Sequence, residues 1–314
     1  MLLPILGIAG GLVVLTFASD QFVLGAARLA ARLRLSAVVI GAVVIGFGTS
    51  APEMIVSGLA AAQGSLDIAV GNVVGSNIAN LSLVLGLASL VVPIAVASPT
   101  IRREIPISLA ATVLFALLVQ GGLSRTEGVI AALALAVALG WMLRSARGED
   151  VELSAEVDEF LADETTVHTG HELARTILGL AATLAAAQVL VLSATRIAAD
   201  VGLAEGFVGL TIVAIGTSLP ELATSLQAAR KGETDLIVGN LLGSNIFNSL
   251  GVVAVAALVG PGRLDDPALA GSAVALMLAV SGVAAVAMVT GRRVVRWEGL
   301  VLLVGYLAVV PFLA

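Results

Sequence analysis

Two glutamates carry the chemistry that this sequence can offer. Glu53 and Glu221 each follow a proline inside a long apolar stretch, in Gly48-Thr-Ser-Ala-Pro-Glu53 and Gly216-Thr-Ser-Leu-Pro-Glu221. A charged side chain so placed costs about 2.5–3.5 kcal/mol on membrane-insertion scales, and neither stretch contains a Lys or Arg to offset it. A bound cation, a proton, or neighbouring hydroxyl and amide groups must do so instead. Two unrelated protonated acids would leave the matching surroundings unexplained.

Proline also shapes the backbone there. Lacking an N–H, Pro52 leaves the carbonyl of Gly48 without its helical donor, and Pro220 does the same for Gly216. In hydrocarbon a freed carbonyl is costly unless it lines a cavity or meets a ligand. Each Gly-Thr-Ser-x-Pro-Glu stretch therefore reads as a broken helix that offers oxygens beside its carboxylate near the bilayer midplane. An ordinary proline kink accounts for the bend but not for the glutamate that follows it twice. Asn72, Ser76 and Asn80 recur every four residues within about an 80° stripe of a helix face, and Asn240, Ser244 and Asn248 repeat that stripe. Gly71-x-x-x-Gly75 and Gly239-x-x-x-Gly243 are small-residue packing motifs that let such faces approach their neighbours.

Two carboxylates with carbonyls, hydroxyls and amides make an all-oxygen site that suits a hard cation. Ca²⁺ accepts six to eight oxygens in flexible geometry and neutralises both acids, whereas Mg²⁺ demands a tight octahedron. Cysteine is absent and both histidines, His168 and His171, fall outside the apolar stretches, which disfavours zinc and copper. The same cage suits two or more Na⁺, or two protons. Occupants that exclude one another by charge are the physical germ of antiport.

The elements that must position these residues are membrane helices. The 314 residues are 59% apolar and 12% charged, with a mean hydropathy of +1.08, against about 25% charged in soluble domains. Apolar runs place spans at 3–27, 36–62, 67–95, 104–121, 126–144, 172–195, 204–229, 235–260, 267–290 and 297–314. They show no period-2 alternation, which argues for helices over a barrel. With the N-terminus outside, thirteen of the sixteen Lys and Arg fall in inner connections, so both termini are expected outside and the connection 148–171 in the cytoplasm. A net charge of −6 without a basic stripe argues against a nucleic-acid partner.

An internal repeat organises these spans. Residues 48–80 align without a gap on 216–248, with 18 identities in 33 positions at an offset of 168. The same offset pairs Asp20 with Gln188 and Arg28 with Arg196, so the duplication embraces five spans per half. Five is odd, so the halves enter the membrane from opposite sides. The expected fold is an all-α membrane protein of ten transmembrane helices. Its units are an N-terminal five-helix repeat at 1–147, an acidic linker at 148–171 that carries Glu149 to Glu164, and an inverted C-terminal repeat at 172–314.

Both motifs resemble the alpha-repeats of the sodium/calcium exchanger superfamily of calcium/cation antiporters, and the short linker resembles its prokaryotic members. That resemblance implies Glu53 and Glu221 as central Ca²⁺ ligands, assisted by the backbone carbonyls of Thr49 and Thr217. It also implies flanking Na⁺ sites built from the carbonyls of Gly46 and Ala214 with Ser50, Ser218, Ser76 and Ser244. Asn80 and Asn248 complete the candidate metal-binding set. Sodium-driven relatives often carry an Asp at one of these two positions. The motion implied is a sliding of the first and sixth spans.

The expected function is secondary antiport that exports Ca²⁺ in exchange for Na⁺ across a cell (inner or plasma) membrane. A Ca²⁺/H⁺ exchanger using the same glutamates is the alternative and a cation channel a more distant one. No catalytic residue, cofactor or protein partner is expected: no His-Glu-x-x-His motif or nucleophile with its base lies within the spans. Asp20 reads as an interfacial or hydrogen-bonded acid, with a place at an ion entrance as the rival reading. Trp141, Trp297 and Tyr306 read as headgroup anchors, and His168-x-x-His171-Glu172 as a weak metal motif.

Overall fold

The structure, a computed structural model, describes residues 2–32, 50–145, 169–232 and 234–309. Its helices are α1 (Leu2–Arg32), α2 (Ala51–Ala62), α3 (Leu66–Ala79), α4 (Leu85–Val91), α5 (Ser98–Arg102), α6 (Glu104–Leu118), α7 (Arg125–Ser145) and α8 (Thr169–Val201). There follow α9 (Glu205–Val208), α10 (Ala214–Thr217), α11 (Leu219–Lys231), α12 (Thr234–Ile246), α13 (Val253–Val259), α14 (Pro267–Ala270), α15 (Ser272–Val289) and α16 (Arg296–Val309). Among the described residues seven helical stretches are long and apolar enough to span a bilayer, and the bent pair Glu205–Thr217 and Leu219–Lys231, angled by 43°, makes an eighth. The protein is a helical, multi-pass integral membrane protein. Of the expected span 36–62, the described part is α2 with Ser50 at its start.

Two departures from regular α-helix lie at the centre. Three π-helical segments, Asn80–Val84, Gly209–Val213 and Phe247–Val252, interrupt stretches that read as continuous α-helix in the sequence. Such bulges shift backbone bonding by one residue and gather at functional sites. The second departure corrects the all-α expectation locally. Ile94–Ala95 pairs antiparallel with Arg293–Val294 in a two-stranded ribbon, and at the other end of the molecule Leu123 exchanges backbone bonds with Gly262 at 2.9 Å. The offset of 168 turns Ile94 into Gly262 and Leu123 into Gly291, so these ties are counterparts.

Both half-helices that carry the glutamates start and stop alike. Ser50 and Ser218 stand at their N-caps with nearly the same backbone, φ −93° ψ 7° and φ −87° ψ 7°. The proline behind each cap occupies the first turn, where its missing N–H is no loss. Gly64 and Gly232 end the segments at φ 85° and 83°, a left-handed conformation that glycine adopts without strain.

α3 occupies the middle, with all of its side chains buried. It packs on α2, α9, α10 and α15, while α1 and α8 lie together along most of their length. Small residues make both approaches close. A Cβ placed on Gly75 would fall 2.1 Å from the Leu210 carbonyl oxygen, and one on Gly179 would fall 2.6 Å from the Phe22 nitrogen. The α1/α8 pair is tied at one end by a buried ion pair, Arg28 to Glu172 at 3.3 Å.

Candidate functional site

Glu53 and Glu221 lie in the first turns of α2 and α11 and are wholly buried. The helix starts at Ser50 and Ser218 put both carboxylates at helix N-termini, whose partial positive charge favours an anion. The two halves meet at the first turn of α2 and on α3. Ser218 donates its hydroxyl to Glu53 Oε1 at 3.4 Å, and Thr217 donates to Asn72 Oδ1 at 3.1 Å. Glu221 lies within electrostatic range of Glu53, and Asp20 of α1 within range of Glu221. On the far side Ser244 donates to Glu221 Oε1 at 3.3 Å.

Around them runs a network of amides and hydroxyls. Asn72 donates to Ser57 at 3.0 Å and accepts from Ser76 at 3.5 Å. Asn80, the first residue of its π-segment, donates to Asn245 Oδ1 at 3.0 Å, and Asn245 donates to the carbonyl of Asn77 at 3.3 Å. The carbonyl of Ala214 already accepts from the Ser218 amide at 3.0 Å and the Thr217 hydroxyl at 3.3 Å. Gly46 and Thr49 lie outside the described residues. Every other expected site residue is buried, Glu53, Glu221, Ser50, Thr217, Ser218, Ser76, Ser244, Asn80, Asn248 and Ala214 alike.

What the network leaves unsatisfied is informative. Among the described residues thirteen buried side-chain nitrogen and oxygen atoms lack a hydrogen-bond partner, and eight of them belong to the repeated segments. They include Glu53 Oε2, Glu221 Oε2, Ser50 Oγ, Ser225 Oγ, Asn80 Oδ1 and Asn248 Oδ1. Each orphaned buried polar atom costs about 1–3 kcal/mol. Their concentration in segments from both halves matches a site whose oxygens are completed by something it binds. Among the described residues no three His, Cys, Asp or Glu side chains gather to hold a metal, and the polar groups around the two glutamates are hydroxyls, amides and carbonyls. Such a set suits hard, weakly held cations over zinc or copper.

The family model for the sodium/calcium exchanger protein matches residues 3–144 and 171–314. The chain belongs to the sodium/calcium exchanger family. A candidate antiporter of Alkalimonas amylolytica, CaxA, is 41% identical over 314 residues, covering 98% of this chain and 97% of its own. The sodium/calcium exchanger MaX1 of Methanosarcina acetivorans is 30% identical over 332 residues, covering 95% of each chain. A solved structure of the sodium-calcium exchanger NCX_Mj, soaked with Na⁺ and Sr²⁺, superposes with a TM-score of 0.65 at 31% identity, covering 99% of this chain and 98% of that one.

Sequence reasoning missed two members of this exchanger's network, Asn77 and Asn245. Both are fully buried, and Asn77 donates to Ser249 at 2.9 Å. Their identity in the two repeats was the available signal, but one position after the serine they fall off the Asn-Ser-Asn stripe. Tyr306 corrects the anchor reading: it is 6% exposed, whereas Trp141 and Trp297 are 50% and 66% exposed. The His171-Glu172 motif is not a metal site in the making, because Glu172 is buried against Arg28 and Arg175, with His171 Nδ1 3.6 Å away. His168 lies outside the described residues.

Proposed function

We propose that this protein is a secondary antiporter that exports Ca²⁺ in exchange for Na⁺ by alternating access. In this reading its ten spans form two inverted five-helix repeats, 1–147 and 172–314, joined by a cytoplasmic linker, with both termini outside. Glu53 and Glu221 neutralise one Ca²⁺ between them, assisted by the backbone of Thr49 and Thr217. Ser50, Ser218, Ser76, Ser244, Asn80, Asn248 and the carbonyls of Gly46 and Ala214 supply the oxygens for Na⁺. Loading either ion set neutralises the same buried dianion, and an empty site resists being sealed from water. That mutual exclusion couples the two fluxes.

The observation that carries this reading is the cross-repeat contact from the bend between α10 and α11, Ser218 to Glu53 and Thr217 to Asn72. That contact supports a reading in which the acids of both halves share one buried polar cluster. MaX1 and NCX_Mj are named as sodium–calcium exchangers, which favours Na⁺ as the counter-ion.

The test is Ca²⁺ uptake into proteoliposomes under an imposed Na⁺ or pH gradient. Uptake should follow the outward Na⁺ gradient and fall to background with Glu53→Gln or Glu221→Gln, each still folded in the membrane. Uptake driven by pH and indifferent to Na⁺ would reject Na⁺ coupling in favour of protons. Full exchange in either glutamine variant would reject the shared site.

A further inference from the structure

The two repeats match in sequence, yet one interhelical contact exists in only one of its two possible copies. α8 packs along α2, and there Gln63 Nε2 donates to Gln188 Oε1 at 2.8 Å. The offset of 168 converts α8 into α1 and α2 into α11. It converts Gln188 into Asp20 and Gln63 into Lys231. The counterpart contact would therefore lay α1 along α11 and bring Asp20 to Lys231. In this structure α1 makes no comparable packing against α11. Nearly all of α2 is buried, whereas Leu219, Ala223, Thr224 and Gln227 of α11 are exposed. Asp20 is exposed too, in the middle of an apolar helix and within electrostatic range of Glu221.

An inverted repeat with unequal halves defines a second state in which the halves exchange environments. The piece that must move is the α1/α8 pair, because it contacts α2 and would contact α11. It is built to travel as one body. Gly11, Gly25 and Gly179 bring the two backbones together, and the buried Arg28–Glu172 pair pins them.

We propose that Asp20 and Lys231 form the latch of the opposite state: an ion pair that closes when the α1/α8 pair leaves α2 and settles on α11. Gln63–Gln188 is the latch of the state seen here. The two are mutually exclusive, so each holds one access passage shut while the other is open. They also differ in chemistry. The amide pair is neutral and insensitive to salt, and the ion pair weakens as ionic strength rises. This inference rests on the inverted-repeat antiport reading given above.

The chain has no cysteine, so introduced thiols are the only ones. Gln63→Cys/Gln188→Cys and Asp20→Cys/Lys231→Cys variants are reconstituted and treated with a short bis-methanethiosulfonate reagent. Each pair should cross-link, each cross-link should stop Ca²⁺ uptake, and reductant should restore it. Asp20→Lys should slow exchange about fivefold by setting like charges together, and Lys231→Asp on that background should recover most of the loss. Failure of the Asp20/Lys231 pair to cross-link, in protein that exchanges and whose Gln63/Gln188 pair does cross-link, would overturn the latch and leave antiport standing. So would an absence of rescue by Lys231→Asp, which would assign Asp20 a purely electrostatic action on the ion. Absence of exchange in the unmodified wild type would instead sink the antiport reading itself.

Discussion

In the first repeat Asn72 is fully buried and donates to Ser57 at 3.0 Å, while in the second Asn240 is half-buried and reaches Thr224 at 3.5 Å. Gly71 and Gly75 are pressed against the backbone of Gly206 and Leu210; the counterparts of those two partners, Val38 and Ala42, lie outside the described residues. The asparagines are identical, and the motif around them differs only by Val73 and Val74 against Leu241 and Leu242. The same asparagine is held differently in the two halves, so matched positions report how each half packs. If the halves exchange packing during transport, as proposed above, variants at matched positions are the sharpest probes of this protein.

The largest matched difference should lie at Arg28 and Arg196, counterparts on α1 and α8. Arg28 is 6% exposed and pairs with the fully buried Glu172, while Arg196 is 70% exposed and pairs with Asp200 on its own helix at 3.1 Å. Removing one member of a buried pair strands a charge, at about 3–5 kcal/mol. An exposed pair four residues apart on a helix is worth about 0.3–0.5 kcal/mol. Arg28→Met should therefore lower the denaturation midpoint in detergent micelles steeply and Arg196→Met barely. Equal midpoints would mean that Arg175 and His171, 3.7 and 3.6 Å from Glu172, neutralise it unaided.

The motif glycines come next. A Cβ on Gly75 would stand 2.1 Å from the Leu210 carbonyl oxygen, a backbone atom that cannot swing aside, so Gly75→Ala should destabilise by about 1–3 kcal/mol through overpacking. Among the described residues nothing lies within 4 Å of a Cβ on Gly243, so Gly243→Ala should cost less than Gly75→Ala in the same melts. If exchange requires the second repeat to adopt the packing of the first, Gly243→Ala should nonetheless slow Ca²⁺ uptake. A Gly243→Ala protein that is both stable and fully active would argue that the second repeat never closes in that way.

Much of the site was legible because its cost is legible. A glutamate after a proline in an apolar run demands compensation wherever it falls, and its recurrence at a fixed offset marks Glu53 and Glu221 as a pair without any structure. The bend before Leu219 followed from Pro220, and the helices from apolar run lengths. The π-segments were not legible. Asn80–Val84 differs from α-helix by a one-residue shift in backbone bonding, and no composition marks that shift. The burial of Tyr306 depends on which helix packs beside α16, a tertiary fact that position near a span end does not determine. The unequal packing of the halves could not be read either, since 48–80 and 216–248 hold the same motif in two environments.

The smallest contrast is also the most local. Ser57 and Ser225 are both buried, but Ser57 accepts from Asn72 and donates to the Ala69 carbonyl at 3.4 Å, whereas Ser225 Oγ has no hydrogen-bond partner. Ser57→Ala would leave the buried Asn72 amide without its acceptor, at about 1–3 kcal/mol. Ser225→Ala would remove a hydroxyl that is already unsatisfied, so it should leave stability unchanged or slightly improve it. Thermal melts of the two variants give the sign directly. Because the serines are counterparts, a loss at Ser225 as large as that at Ser57 would imply that its hydroxyl is engaged in the ensemble present in solution, and that the second repeat spends much of its time packed as the first is here.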